Sequence, residues 1–190
     1  MNGKTDKHKY EETTIATKPI FQGRIISLQV DQVRLPDGRT AERELVKHPG
    51  AVAVLALLDG RMLVVRQFRK ALERTLIEIP AGKLDAGEEP AAAAARELEE
   101  ETGWKPKRLT PLCSFYTSPG FADEIIHLYF TNELERGDAG LDEDEFLDVF
   151  SLSLDEAWDA IADGRIRDAK TITAVYAWQN YERTGRLMRG

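Results

Sequence analysis

The chain has 190 residues, a single cysteine and a formal net charge of -7. That length suits one sizeable domain, or one domain with a small appendage, and the acidic balance argues against nucleic-acid binding through a broad basic face. Cys113 alone cannot form an internal disulfide, which fits a reducing cytoplasm, and no apolar run approaches the ~20 residues of a membrane span.

Residues 1–12 are charged, with no apolar core of the kind a secretory signal has, and read as a frayed end. From Arg24 the pattern alternates, with Ile26, Leu28 and Val30 on one face and Ser27, Gln29 and Asp31 on the other, as in a half-buried strand. Leu35-Pro36-Asp37-Gly38 is a turn signal, and extended character resumes from Thr40 to Lys47, so 24–47 reads as a hairpin. Ala51 to Leu58 is a short apolar strand, Asp59-Gly60 a tight turn, and Arg61 to Arg69 its partner. Leu76 to Pro80 is another brief strand. Pro90 then opens an alanine-rich helix whose C-cap is Gly103. Leu112 to Phe115, Ile125 to Phe130 and Phe146 to Phe150 read as further strands. Ser153 caps a helix to about Asp163, ended by Gly164, and a last helix spans Ala169 to Arg183. Strands and helices interleave without regular βαβ spacing, which favours a mixed sheet with flanking helices over a Rossmann arrangement.

The chemistry concentrates between Gly82 and Trp104. On a helix Glu97 and Glu101 stand one turn apart, with Glu100 beside Glu97, so three carboxylates crowd one edge. Like charges at this spacing destabilise a helix unless something compensates. A hard divalent cation suits an all-oxygen set, Mg²⁺ or Mn²⁺ better than zinc. Arg96 can orient Glu100 four residues on, or pair with Glu88 across the loop. Taken alone, the run Glu97-Leu98-Glu99-Glu100-Glu101 reads first as a solvated acidic face, as most such runs do.

The wider pattern changes that weighing. Gly82, Glu88, Arg96, Glu97, Leu98, Glu100, Glu101 and Gly103 stand in the register of the Nudix box, G-x5-E-x7-R-E-U-x-E-E-x-G-U, where U is a bulky aliphatic residue. Seven fixed residues at ~7% usage each coincide by chance on the order of once in 10⁸ starting positions. The last U position holds Trp104, a departure that touches packing rather than metal binding. The chain thus resembles the Nudix hydrolases. The resemblance implies an α+β fold, an α/β/α sandwich with a mixed sheet, and pyrophosphate hydrolysis assisted by Mg²⁺, with Mn²⁺ possible. It implies Glu97, Glu100, Glu101 and the carbonyl of Ala81 as metal ligands, Gly82 as a point of close backbone approach, and Glu88, Arg96 and Gly103 as structural.

Further residues resemble the ADP-ribose pyrophosphatase branch: Pro119, sixteen beyond Gly103, with Gly120 after it; Arg66-Gln67-Phe68-Arg69; Glu78-Ile79-Pro80-Ala81-Gly82; and Asp142-Glu143-Asp144-Glu145-Phe146. The resemblance spans roughly residues 13–183. It implies Arg69, or else Arg66, as a phosphate ligand, Glu78 as a substrate contact or a strand-end cap, and Phe21 as an adenine-stacking ring or a core residue. Between Asn132 and Asp148 lie eight acids and one base, Arg136. Such a run is usually a solvated loop, yet relatives supply a catalytic Glu from it; Glu143 and Glu145 are the candidates, with Glu100 held in reserve. His48, His127 and Cys113 read as structural.

The expected reaction is hydrolysis of ADP-ribose to AMP and ribose 5-phosphate. A broader nucleoside diphosphate sugar hydrolase is the rival, and a non-catalytic ADP-ribose sensor a distant third, since the box carboxylates are intact. Residues 1–45 are expected to form a β region that makes a strand-exchanged homodimer, and 46–190 the hydrolase domain. No nucleic-acid or membrane partner is expected.

Overall fold

The computed structural model describes residues 9–140 and 146–187. Their contacts divide into two compact units, one drawn from residues 9–49 and 116–124, the other from 50–115, 125–140 and 146–187.

In the first unit, β1 (Thr13–Gln22), β2 (Ser27–Arg34) and β3 (Thr40–Lys47) form an antiparallel sheet in that order. Strand β1 is absent from the periodicity of the sequence. Its pairing with β2 slips between Thr14 and Ala16 and again between Pro19 and Phe21, and two such irregularities erase a period of two. All ten of its residues are exposed. The expected apolar face of β2 needs correction. Ile26 precedes the strand and is exposed, while Asp31 and Val33, on the opposite face, are the buried residues. Asp31 tolerates burial because Gln29 Nε2 donates to its carboxylate at 2.9 Å and Thr14 Oγ1 at 3.4 Å. Residues 116–124 join this unit through Val46, whose N–H donates to Phe121 O at 2.8 Å, and through an ion pair of Lys47 with Asp123 at 2.9 Å.

The second unit is built on a seven-stranded mixed sheet. Its strands are β4 (Ala51–Leu58), β5 (Arg61–Arg69), β6 (Arg74–Glu78), β7 (Ala81–Lys83), β9 (Thr110–Tyr116), β10 (Ile125–Thr131) and β12 (Leu147–Leu152). The path runs β12-β5-β4-β10-β9, with β6 on β5 and β7 on β4; β10 lies parallel to β4, and the other β4 and β5 pairings are antiparallel. Two short strands, β8 (Trp104–Pro106) and β11 (Leu134–Arg136), make a separate ribbon. The helices are α1 (Pro90–Thr102), α2 (Leu154–Ala162) and α3 (Ala169–Thr184). None is long and apolar enough to cross a membrane.

The continuous apolar run of β4 follows from its place. It is buried on both faces, so it cannot alternate with polar residues. Val52, Val54 and Ala56 pack with Leu63 under Ala93, Ala94 and Leu98 of α1. Ala53, Leu55 and Leu57 pack with Met62 and Val64 under Ala157, Ala160, Ala174 and Trp178 of α2 and α3. The two clusters, one on each sheet face, are the expected α/β/α sandwich. Asp59 and Gly60 turn β4 into β5 with φ of 51° and 74°, the doubly positive form of a two-residue hairpin. Trp104 fills its departure from the box pattern by packing on the α1 cluster, with Arg136 stacked 4.0 Å above its ring.

Candidate active site

Helix α1 starts with Pro90 at its first position and ends at Gly103, whose φ of 68° lets its N–H return to Glu99 O. Its buried face is Ala93, Ala94, Leu98, Glu101 and Thr102. Small alanines bring the helix close to the sheet, and Glu101 is carried down with them to 4% exposure. The Glu101 carboxylate accepts the Ala81 N–H at 3.2 Å. One turn earlier, Glu97 lies against Gly82. A Cβ on Gly82 would stand 1.9 Å from Glu97 Cδ. Only glycine leaves room for that carboxylate.

Arg96 answers the repulsion expected among these acids. Its Nε and Nη2 donate to the two oxygens of Glu88, each at 3.0 Å, and its Nη1 donates to both Glu97 and Glu100 at 2.9 Å. The sequence offered Glu88 or Glu100 as the partner; the guanidinium takes both and Glu97 as well. Its bonds with Glu88, the largest influence, raise the Arg96 pKa and lower that of Glu88. Glu88 is itself placed by the Asp85 N–H at 3.2 Å. With Glu97 and Glu100 turned onto Arg96, no three acidic, His or Cys side chains among the described residues are gathered into a finished cation cage. The donor set nevertheless suits a hard cation, being all carboxylate, set at one-turn spacing and backed by a glycine cradle.

A second charged group sits at the ends of β5 and β6. Arg69 forms a bidentate fork on Glu78, with Nε and Nη2 each 2.7 Å from a carboxylate oxygen. Lys170, from the first turn of α3, contacts the same carboxylate. Burial by itself raises the Glu78 pKa, but the two cations prevail and hold it at about 2. The free carboxyl titrates near 4.5, so the stability from this pairing is complete above that pH and is lost as pH falls toward 2. On the order of 3 kcal/mol is at stake. The melting temperature of Glu78→Gln should therefore vary less between pH 4.5 and 2 than that of the unsubstituted protein; equal slopes would remove Glu78 as the cause.

Arg66 lies on the opposite face of β5 from Arg69. It stacks 5.0 Å from the Phe150 ring and faces Asp148 at 3.7 Å. Phe21, on β1, is 56% exposed, which removes the core-burial reading. Pro119 and Gly120 occupy the turn in which Phe121 N–H and Ala122 N–H return to Ser118 O. Both belong to the first unit with Phe21. His127 is held by Ser114 at 2.8 Å, and His48 stands 3.6 Å from Glu124. Glu143 and Glu145 lie outside the described residues.

Comparison with known proteins decides the family. The NUDIX domain model matches residues 47–175, and the nucleoside diphosphate sugar hydrolase N-terminal domain matches residues 12–46. The chain belongs to the Nudix family. This Nudix hydrolase is 54% identical to the ADP-ribose pyrophosphatase of Bacillus subtilis, across 87% of its own length and 91% of the relative's. It is also 54% identical to the methanol dehydrogenase activator of Bacillus methanolicus, across 91% of its length and 95% of the relative's. A crystal structure of an ADP compounds hydrolase superposes with a TM-score of 0.81, covering 93% of this chain and 97% of that one at 20% identity, a likeness of fold.

Two features of this Nudix hydrolase were missed from sequence. Lys170 gave no signal, since its partner Glu78 is 92 positions away. Glu99, at the variable position of the box, accepts the Asp138 N–H at 3.4 Å while Gly140 N–H bonds Glu100 O at 3.1 Å, so the start of the acidic loop is tied to the end of α1.

Proposed function

We propose that this Nudix hydrolase cleaves the pyrophosphate of ADP-ribose with Mg²⁺, Mn²⁺ substituting, giving AMP and ribose 5-phosphate in the cytoplasm. The observation that carries this reading is the carboxylate edge of α1 seated on Gly82, in a chain 54% identical to an enzyme named for that reaction. Glu97, Glu100 and Glu101, with the Ala81 carbonyl, would hold the cation, and Arg96 then keeps Glu88 while yielding Glu97 and Glu100. When bound, the cation neutralises pyrophosphate charge and acidifies a water. Water adds to one phosphorus, the bridging P–O bond breaks, and each product leaves with one phosphate. Arg69, whose charge lies within reach of Glu101, supports the substrate phosphate. Phe21, with its exposed ring, is the candidate for stacking on adenine, and Pro119 and Gly120 are further candidates for substrate contact.

The general base comes from the acidic loop, with Glu143 ahead of Glu145. General-base help is typically ~10²–10⁴-fold, so Glu143→Gln should lower kcat within that range with KM little changed. If Glu143→Gln, Glu145→Gln and the double variant all keep kcat within about threefold, under 1 kcal/mol of barrier, Glu100 becomes the residue to test.

Residues 1–45 serve as a dimerisation region. The support is β1, with Ile15 and Ile20 both exposed and in want of cover. Light scattering should show a dimer, and deletion of residues 1–45 should leave insoluble or inactive protein; an active monomer after deletion would refute this.

Substrate breadth is tested with a panel of ADP-ribose, NADH, GDP-mannose and a dinucleoside polyphosphate, read by product chromatography. Preference for ADP-ribose supports the reading, whereas comparable rates on GDP-mannose would favour a general nucleoside diphosphate sugar hydrolase, the breadth suggested by the N-terminal domain match.

A further inference from the structure

The cluster at the end of β6 holds a residue to which neither the box pattern nor the sequence resemblance gives a role. Glu78 is 2% exposed and carries two cations, Arg69 with a side chain 40% exposed and Lys170 with one only 12% exposed. Lys170 also contacts Asp168 Oδ1 at 2.9 Å, and the same oxygen accepts the Thr171 N–H that caps α3, at 3.1 Å. One residue further along, the Ile79 N–H donates to Thr171 Oγ1 at 2.9 Å. The first turn of α3 is thereby fastened to the end of β6 by backbone and side chain together. At that junction the Lys170 ammonium bridges Glu78 and Asp168.

The consequence concerns Arg69. Its bonds to Glu78 use Nε and Nη2, so Nη1 is the outer end of the fork. Lys170 is itself shared with Asp168, so the two cations and two carboxylates balance; what the second ammonium contributes is a Glu78 carboxylate held in place, on which the fork of Arg69 rests. The bidentate fork also fixes the guanidinium plane before any ligand arrives, which reduces the ordering cost of binding.

We propose that Lys170 is a positioning residue for anion binding: by holding the buried carboxylate of Glu78 in place it fixes the fork of Arg69, and so the plane of the guanidinium that meets the phosphate of a nucleoside diphosphate substrate. This rests on the hydrolase reading above.

The test is steady-state kinetics of Lys170→Met, Lys170→Gln and Lys170→Arg in the full chain, using whichever panel substrate the unsubstituted enzyme turns over fastest. The two neutral variants should raise KM about 10-fold with kcat within about threefold, and Lys170→Arg should bring KM back to within about threefold. A residue that only braces α3 would instead lower the melting temperature while leaving KM unchanged. An unchanged KM, a fall confined to kcat, no rescue by arginine, or failure of both neutral variants to fold would each overturn the proposal. The hydrolase reading fails separately: turnover of another panel member instead of ADP-ribose sinks that reading while the Lys170 comparison proceeds on the better substrate. No turnover of any panel member sinks both.

Discussion

Glu97→Gln and Glu101→Gln should each reduce turnover by at least ~10³-fold at saturating Mg²⁺ while leaving a folded protein, because under the proposed assignment each carboxylate would hold the divalent cation and a neutral amide is a poor substitute. The two differ in what else they disturb. Glu97 belongs to a set of acids that share Arg96, so removing its charge relieves repulsion and the melting temperature should hold or rise slightly. Glu101 is buried and accepts a backbone N–H from Ala81. Gln keeps an acceptor there, so the fold should survive with a modest loss. Circular dichroism melts and kinetics on the same preparations check both points. Near-normal activity in either variant would withdraw the metal-ligand assignment.

Gly82→Ala should be nearly as damaging, from a single methyl group. The new Cβ would fall 1.9 Å from Glu97 Cδ and 2.1 Å from its Oε1, so the Glu97 carboxylate must swing away and release Arg96. Misplacing a catalytic group by about 1 Å can cost ~10²-fold in rate, and overpacking a tight site typically costs ~1–3 kcal/mol. We expect kcat/KM to fall by ~10²-fold or more, with a measurable loss of melting temperature. Activity within threefold of the parent would show that Glu97 has no need of its present place.

The parts legible in the sequence were those with a short-range cause. The helix edge of Glu97, Glu100 and Glu101 follows from a 3.6-residue period, the buried strand at Ala51–Leu58 from its unbroken apolar run, and the turn at Asp59-Gly60 from two residues that accept positive φ. Long-range causes left no such trace. Arg69 could be named as a cation for phosphate, but its fork on Glu78 depends on the β5–β6 register, and Lys170 reaches the same carboxylate only because α3 docks there. Strand β1 escaped notice because its irregular pairing breaks the alternation that reveals strands. The buried face of β2 was misassigned for a related reason: Asp31 looks solvent-facing until its hydrogen bonds to Thr14 and Gln29 are known.

The most direct measurement is product stoichiometry. The purified chain should be incubated with ADP-ribose and Mg²⁺, with and without excess EDTA, and all phosphorus-containing products quantified. One AMP and one ribose 5-phosphate per ADP-ribose consumed, with turnover abolished by EDTA and by Glu97→Gln alike, is the expected result. Intact ADP-ribose, release of inorganic phosphate in place of AMP, or an undiminished rate in EDTA would contradict it.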